Sequence, residues 1–156
     1  MNKNIHQWLE EYGESHQNPT NKSIHWICVP LILISLFGLL WNIKFPFKFL
    51  LIDLNGTDIF LNWTFILIII ATLFYIRLSF SLTLGMLLIS LFALLINHYL
   101  NMLPLELWKT SLIIFIFAWI GQFIGHKIEG KKPSFFQDIQ FLLIGPAWLL
   151  SFIYKK

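Results

Sequence analysis

Four runs of this chain, 24–41, 59–76, 78–95 and 107–124, carry between them only His25 and Lys109 as acidic or basic side chains. A helix needs roughly 20 apolar residues to cross a bilayer, so these runs commit the chain to membrane-spanning helices. A fifth apolar stretch, 135–154, is interrupted by Gly145-Pro146. It can cross, kink or re-enter, because proline frees backbone groups that neighbouring helices must satisfy. The expected fold is all-α: an integral membrane helical bundle of four to five transmembrane helices, in a single domain over residues 1–156. Hydrophobic residues make up 57% of the chain and charged residues 12%, against about 25% charge in a soluble domain. The net charge of +3 comes from scattered lysines, the pattern of basic residues flanking spans rather than a nucleic-acid footprint. The seven tryptophans and sixteen phenylalanines suit interfaces, lipid-facing surfaces and the walls of an acyl-chain groove.

Residues 1–23 are polar and include Glu10, Glu11 and Glu14, unlike the basic start and apolar core of a cleavable signal peptide. Within them Ile5, Trp8, Leu9 and Tyr12 recur at helical spacing, which predicts an amphipathic helix lying on the membrane or on the rest of the protein. Asn18-Pro19 reads as a helix start, since Asn caps free N–H groups and Pro suits the first helical position. Residues 42–58, with Phe45-Pro46-Phe47-Lys48 and Asn55-Gly56, read as an interfacial loop. Arg77 and its neighbours leave room only for a hairpin between the second and third spans.

Ionisable groups at membrane boundaries are expensive and mark candidate sites. His16 and His25 precede the first span and His126 follows the fourth, so an even number of crossings puts all three on one side. His98 follows the third span and falls opposite. Lys3, Lys22, Arg77, Lys127, Lys131 and Lys132 lie on the histidine side, against Lys44, Lys48 and Lys109 opposite. The positive-inside rule then sets the histidines at the cytoplasmic face. His16 and His25 are nine residues apart, on opposite faces of any continuous helix. They meet only if the chain turns at Pro19.

If they do meet, the three histidines form a metal site. Asn21, one turn before His25, can hold that ring by hydrogen bonding, and Glu129 follows His126 at the spacing where two helical ligands project together. Gln122 precedes His126 by one turn. Imidazoles with a carboxylate and no thiolate suit non-haem iron, manganese or zinc; Cys28 is the lone cysteine. No nucleophilic serine motif, glycine-rich phosphate loop or paired-cysteine motif is present. His6 reads as a solvated surface residue, His98 as an interfacial hydrogen-bonding residue, and Asp138 as a helix cap, a lysine partner or a catalytic group. Two readings compete with catalysis. One is a non-catalytic lipid-binding or assembly protein with structural histidines. The other is transport, for which the spans offer few polar residues, chiefly Asn62, Thr64, Thr72 and Thr83.

The block from His16 to Pro30, His-Gln-Asn-Pro-Thr-Asn-Lys-Ser-Ile-His-Trp-Ile-Cys-Val-Pro, resembles the N-terminal signature of the 2-hydroxy-palmitate dioxygenase-like family. The block from Trp119 to Pro133, containing Gly125-His126-Lys127-Ile128-Glu129-Gly130, resembles its second signature, and Gly145-Pro146 matches its close. The resemblance covers nearly the whole chain. It implies a small multi-span enzyme that uses Fe(II) and O2 to shorten 2-hydroxy fatty acids by one carbon. His16, His25 and His126 would be iron ligands, Glu129 a further ligand or base, and Asn21 a supporting catalytic residue. The chain departs from the family in lacking an acidic residue after Gly145-Pro146. Its richness in Ile, Asn and Lys points to a bacterial inner membrane; in a eukaryotic cell the resemblance implies the endoplasmic reticulum.

Overall fold

A computed structural model describes residues 5–46, 62–130 and 135–154. These form six helices: α1 (Ile5–Glu14), α2 (Pro19–Trp41), α3 (Trp63–Ile76), α4 (Phe80–Asn101), α5 (Leu107–Glu129) and α6 (Phe135–Tyr154). No strand occurs among the described residues. Three of the helices, α2, α4 and α5, are long and apolar enough to cross a membrane, while α3 and the stretch Leu143–Phe152 are shorter apolar helices. The molecule is an all-helical membrane bundle. The Asn55-Gly56 turn, most of the 42–58 loop and Lys131 and Lys132 lie outside the described residues.

Helix ends follow local chemistry. The Asn18 side chain accepts hydrogen bonds from the backbone N–H of Thr20 and Asn21, with Pro19 as the first helical residue, which sets the start of α2 at the expected place. Asn62 and Ser79 cap α3 and α4 in the same way. Gly130 ends α5 at φ 74°, a left-handed conformation open to glycine at little cost.

Packing against lipid gains little from hydrophobicity, so spans approach closely where small residues let them. The antiparallel pair α2 and α5 does this along its length. A Cβ on Gly125 would lie 2.4 Å from the Asn21 Oδ1, one on Gly121 2.5 Å from the Cys28 Sγ, and one on Gly38 2.0 Å from the Ser111 Oγ. Ala118 fills the space between, against Cys28 and Ile32. These contacts put the start of α2, with His25, beside the end of α5, with His126.

The other spans alternate about this pair. At the start of α3, the Thr64 hydroxyl donates to the Phe37 carbonyl, far along α2. At its finish, the Tyr75 hydroxyl donates to the Leu143 carbonyl of α6. Helix α4 begins beside Tyr75, where Leu82 and Met86 pack with Ala147 and Leu150, and ends where the Asn97 amide donates to the Ile34 carbonyl. His98 is therefore at the end of the bundle opposite His25. The polar residues that the sequence offers for transport have backbone partners. Thr72 and Thr83 each donate to the carbonyl four residues earlier, and Asn62 accepts from the Phe65 N–H. Ile69, Ile70, Leu73, Phe80, Leu88, Phe92, Ile113 and Phe117 stay exposed on the outer faces, as lipid-facing residues do.

The apolar face of α1 packs on the protein. Tyr12, Trp8 and Leu9 join Val29, Ile144, Trp148 and Leu149, and Ile5 reaches the cluster around Tyr75. The described side chains of α6 pack against Tyr12, Val29, Leu82, Met86 and Trp26, all from the histidine half of the bundle. Gly145 makes room for α1, since a Cβ there would lie 3.0 Å from the Tyr12 hydroxyl.

Candidate metal centre

His16 lies in the turn between α1 and α2, fully buried. The Tyr12 ring stacks on it with centroids 4.2 Å apart and planes 8° from parallel, and Trp148 closes the same wall at 5.2 Å. The turn is built from short-range bonds: the His16 N–H donates to the Gly13 carbonyl and the Ser15 hydroxyl to the Tyr12 carbonyl. The chain thus reverses before Pro19, and the nine-residue separation of His16 and His25 is bridged by a bend.

The two rings are held alike. The His16 Nδ1 lies 2.6 Å from the Tyr12 carbonyl and the His25 Nδ1 2.9 Å from the Asn21 carbonyl, in each case four residues earlier. A carbonyl only accepts, so each Nδ1 carries the proton and donates it. The Nε2 atoms are then both unprotonated, and they face each other 2.9 Å apart. Two lone pairs buried at that separation repel unless a cation sits between them. Two ligands at right angles, each about 2.1 Å from an ion, would be about 3.0 Å apart, so the spacing fits adjacent positions on one metal. His126, partly buried, completes the group with ring centroids 5.2 Å from His16 and 5.1 Å from His25. One ligand atom from each histidine lies within 4.8 Å of the others. Burial first, and the neighbouring His25 imidazole second, push the His16 pKa from its ordinary 6.5 down to about 3. The ring is neutral at physiological pH, the form that ligates a metal.

Glu129 is placed differently from the histidines. Its Oε1 accepts from the Gln17 N–H at 2.7 Å, and its Oε2 from the Asn18 N–H and the Asn21 Nδ2, each at 2.9 Å. The carboxylate ties the His16 turn to the end of α5. Asn21 reaches His25 through its backbone carbonyl, while its side-chain amide bonds Glu129 and the Ser15 carbonyl. His98 stands at the opposite end of the bundle, and the side chain of Asp138 lies outside the described residues. Tyr12 and Trp148, the walls of the site, read as ordinary apolar-face residues in the sequence. The placing of Tyr12 four residues before His16 was the available signal.

The model of the family described as 2-hydroxy-palmitic acid dioxygenase Mpo1-like matches residues 2–156. The chain belongs to that family. A relative in Saccharomyces cerevisiae, named 2-hydroxy-palmitic acid dioxygenase MPO1, is 31% identical over 149 residues, covering 92% of this chain and 76% of its own length. No solved structure matches. The Mpo1-like match takes in all three histidines, Glu129 and the Gly145-Pro146 close.

Proposed function

We propose that this protein is a membrane-bound Fe(II)-dependent dioxygenase that shortens 2-hydroxy fatty acids by one carbon. The carrying observation is the approach of the His16 and His25 Nε2 atoms to 2.9 Å, beside His126 and with both Nδ1 atoms on backbone carbonyls, in a chain of the Mpo1-like family. His16, His25 and His126 would hold the iron. A non-haem ferrous ion with open positions supplies a place for O2 and substrate oxygens together. The reaction balances as one 2-hydroxy acid plus one O2 giving the acid one carbon shorter, carbon dioxide and water. Donation of Nδ1–H to a backbone carbonyl fixes both rings in the ligating tautomer, as supporting hydrogen bonds do in other metal sites. With both carboxylate oxygens engaged, Glu129 acts by holding the His16 turn against α5, and Asn21 links that clamp to His25. The basic residues flanking the histidine end support a cytoplasmic site, on the inner membrane of a bacterium or the endoplasmic reticulum of a eukaryote.

The experiment is anaerobic reconstitution with Fe(II) followed by O2 and 2-hydroxypalmitate. One O2 consumed per pentadecanoate formed is the expected result. Retained iron without turnover of any 2-hydroxy acid would overturn the assignment.

A further inference from the structure

Gln122 is 6% exposed and its Nε2 has no hydrogen-bond partner. It stands one turn before His126 on the same face of α5, and its side chain reaches the His25 imidazole through the amide oxygen, which leaves the Nε2 as the unmet end. An unmet buried amide costs roughly 1–3 kcal/mol, and such groups in native proteins commonly mark the place of a missing partner. Four other buried side-chain atoms among the described residues lack a partner: Asn21 Oδ1 and Asn97 Oδ1, which are acceptors, Ser111 Oγ, which faces Gly38 farther along the α2–α5 seam, and Trp119 Nε1. Trp119 packs in the apolar cluster of Cys28, Ile32 and Ala118 and makes ring contacts with Phe115 and Phe123, with no histidine contact. Gln122 is the orphan donor that touches the centre.

An amide nitrogen carries two hydrogens and no lone pair to offer, so its natural counterpart is a group that only accepts. A carboxylate is such a group, whereas a hydroxyl both donates and accepts. Resting on the dioxygenase reading above, we propose that the Gln122 amide receives the carboxylate of the fatty-acid substrate and holds the head group beside the histidine centre, making Gln122 a specificity-determining residue. The acyl chain then leaves the head group toward the apolar interior. Without the donor, the carboxylate would be buried with one fewer hydrogen bond, so the presence of the Gln122 amide selects for an acid over an alcohol of the same length.

The test measures anaerobic binding to iron-loaded protein in lipid nanodiscs, with 2-hydroxypalmitate, palmitate and 1,2-hexadecanediol as probes. Gln122→Leu keeps the bulk and removes the donor; Gln122→Glu keeps the shape and sets a carboxylate against a carboxylate. Both variants should retain iron as the unaltered protein does and bind the two acids about 10-fold more weakly or worse, with diol affinity changed less than twofold. Unchanged acid affinity in Gln122→Leu, an equal loss for the diol, or loss of iron from both variants overturns the proposal. Turnover separates the two claims. A protein that binds the acids through Gln122 but oxidises no 2-hydroxy acid sinks the dioxygenase reading and leaves the subsite standing. Normal turnover with an unaltered KM in Gln122→Leu sinks the subsite alone.

Discussion

At the scale of single residues, the centre depends on where two protons sit. His16 and His25 each give Nδ1–H to a carbonyl of the preceding helical turn, and the lone pairs left over converge. Removing a ligand should therefore act on metal binding before it acts on the fold. His16→Ala, His25→Ala and His126→Ala should each lose iron while still inserting in the membrane, whereas His98→Ala should keep it; elemental analysis in mild detergent reads the result. Loss of iron from His98→Ala but not His126→Ala would contradict the site. Glu129 tests the clamp. Glu129→Ala leaves three imidazoles but releases the Gln17 and Asn18 N–H groups and the Asn21 amide, and supporting residues of this kind typically cost about 10–100-fold in metal affinity or activity. Iron affinity should fall within that range, measured by chelator competition. Full retention of affinity would show that the turn holds its shape unaided.

At the scale of the helices, the α2–α5 seam sets the register on which the histidines depend. Gly121→Ala would bring a Cβ to 2.5 Å from the Cys28 Sγ, and overpacking of this sort costs about 1–3 kcal/mol. Cys28→Ala should recover part of that loss, so a double-mutant cycle of unfolding should show coupling between the two positions. Independent effects would mean that the helices separate rather than press on the sulfur. This seam also marks where sequence reading stops. The spans, the Asn18 cap and the common side of His16, His25 and His126 follow from hydropathy, capping chemistry and counting, and the two signature blocks carried the family. The face of each helix does not follow. A span surrounded by lipid is apolar all round, so periodicity cannot say which side meets a neighbour. Only the small residues Gly38, Ser111, Ala118, Gly121 and Gly125 hold that information, and their meaning depends on which helix they meet. The bonds from Glu129 to Gln17 and Asn18 cross more than a hundred positions and involve backbone donors, which no side-chain pattern announces.

At the scale of the whole molecule, the helices alternate so that the histidine end and the His98 end lie at opposite ends of the bundle. Lys127 and Leu103 are exposed at those two ends. In a Cys28→Ser background, Lys127→Cys and Leu103→Cys should react with a membrane-impermeant thiol reagent in vesicles of opposite orientation. The positive-inside bias assigns Lys127→Cys to inside-out vesicles. Labelling of both from one side would overturn the alternation.

The wide spacing of the three histidines along the chain has a consequence for biosynthesis. Residues 16 and 25 leave the ribosome early, and residue 126 follows only after three further helices have been made. A nascent chain therefore offers at most two of the three imidazoles of the site, and the turn bearing the first of them lacks Glu129 to hold it. Because metal affinity rests on the assembled ligand set, an ion captured early is held weakly and exchanges away. On the proposed iron reading, metal retention reports a completed α5, and a product released before that point would stay empty.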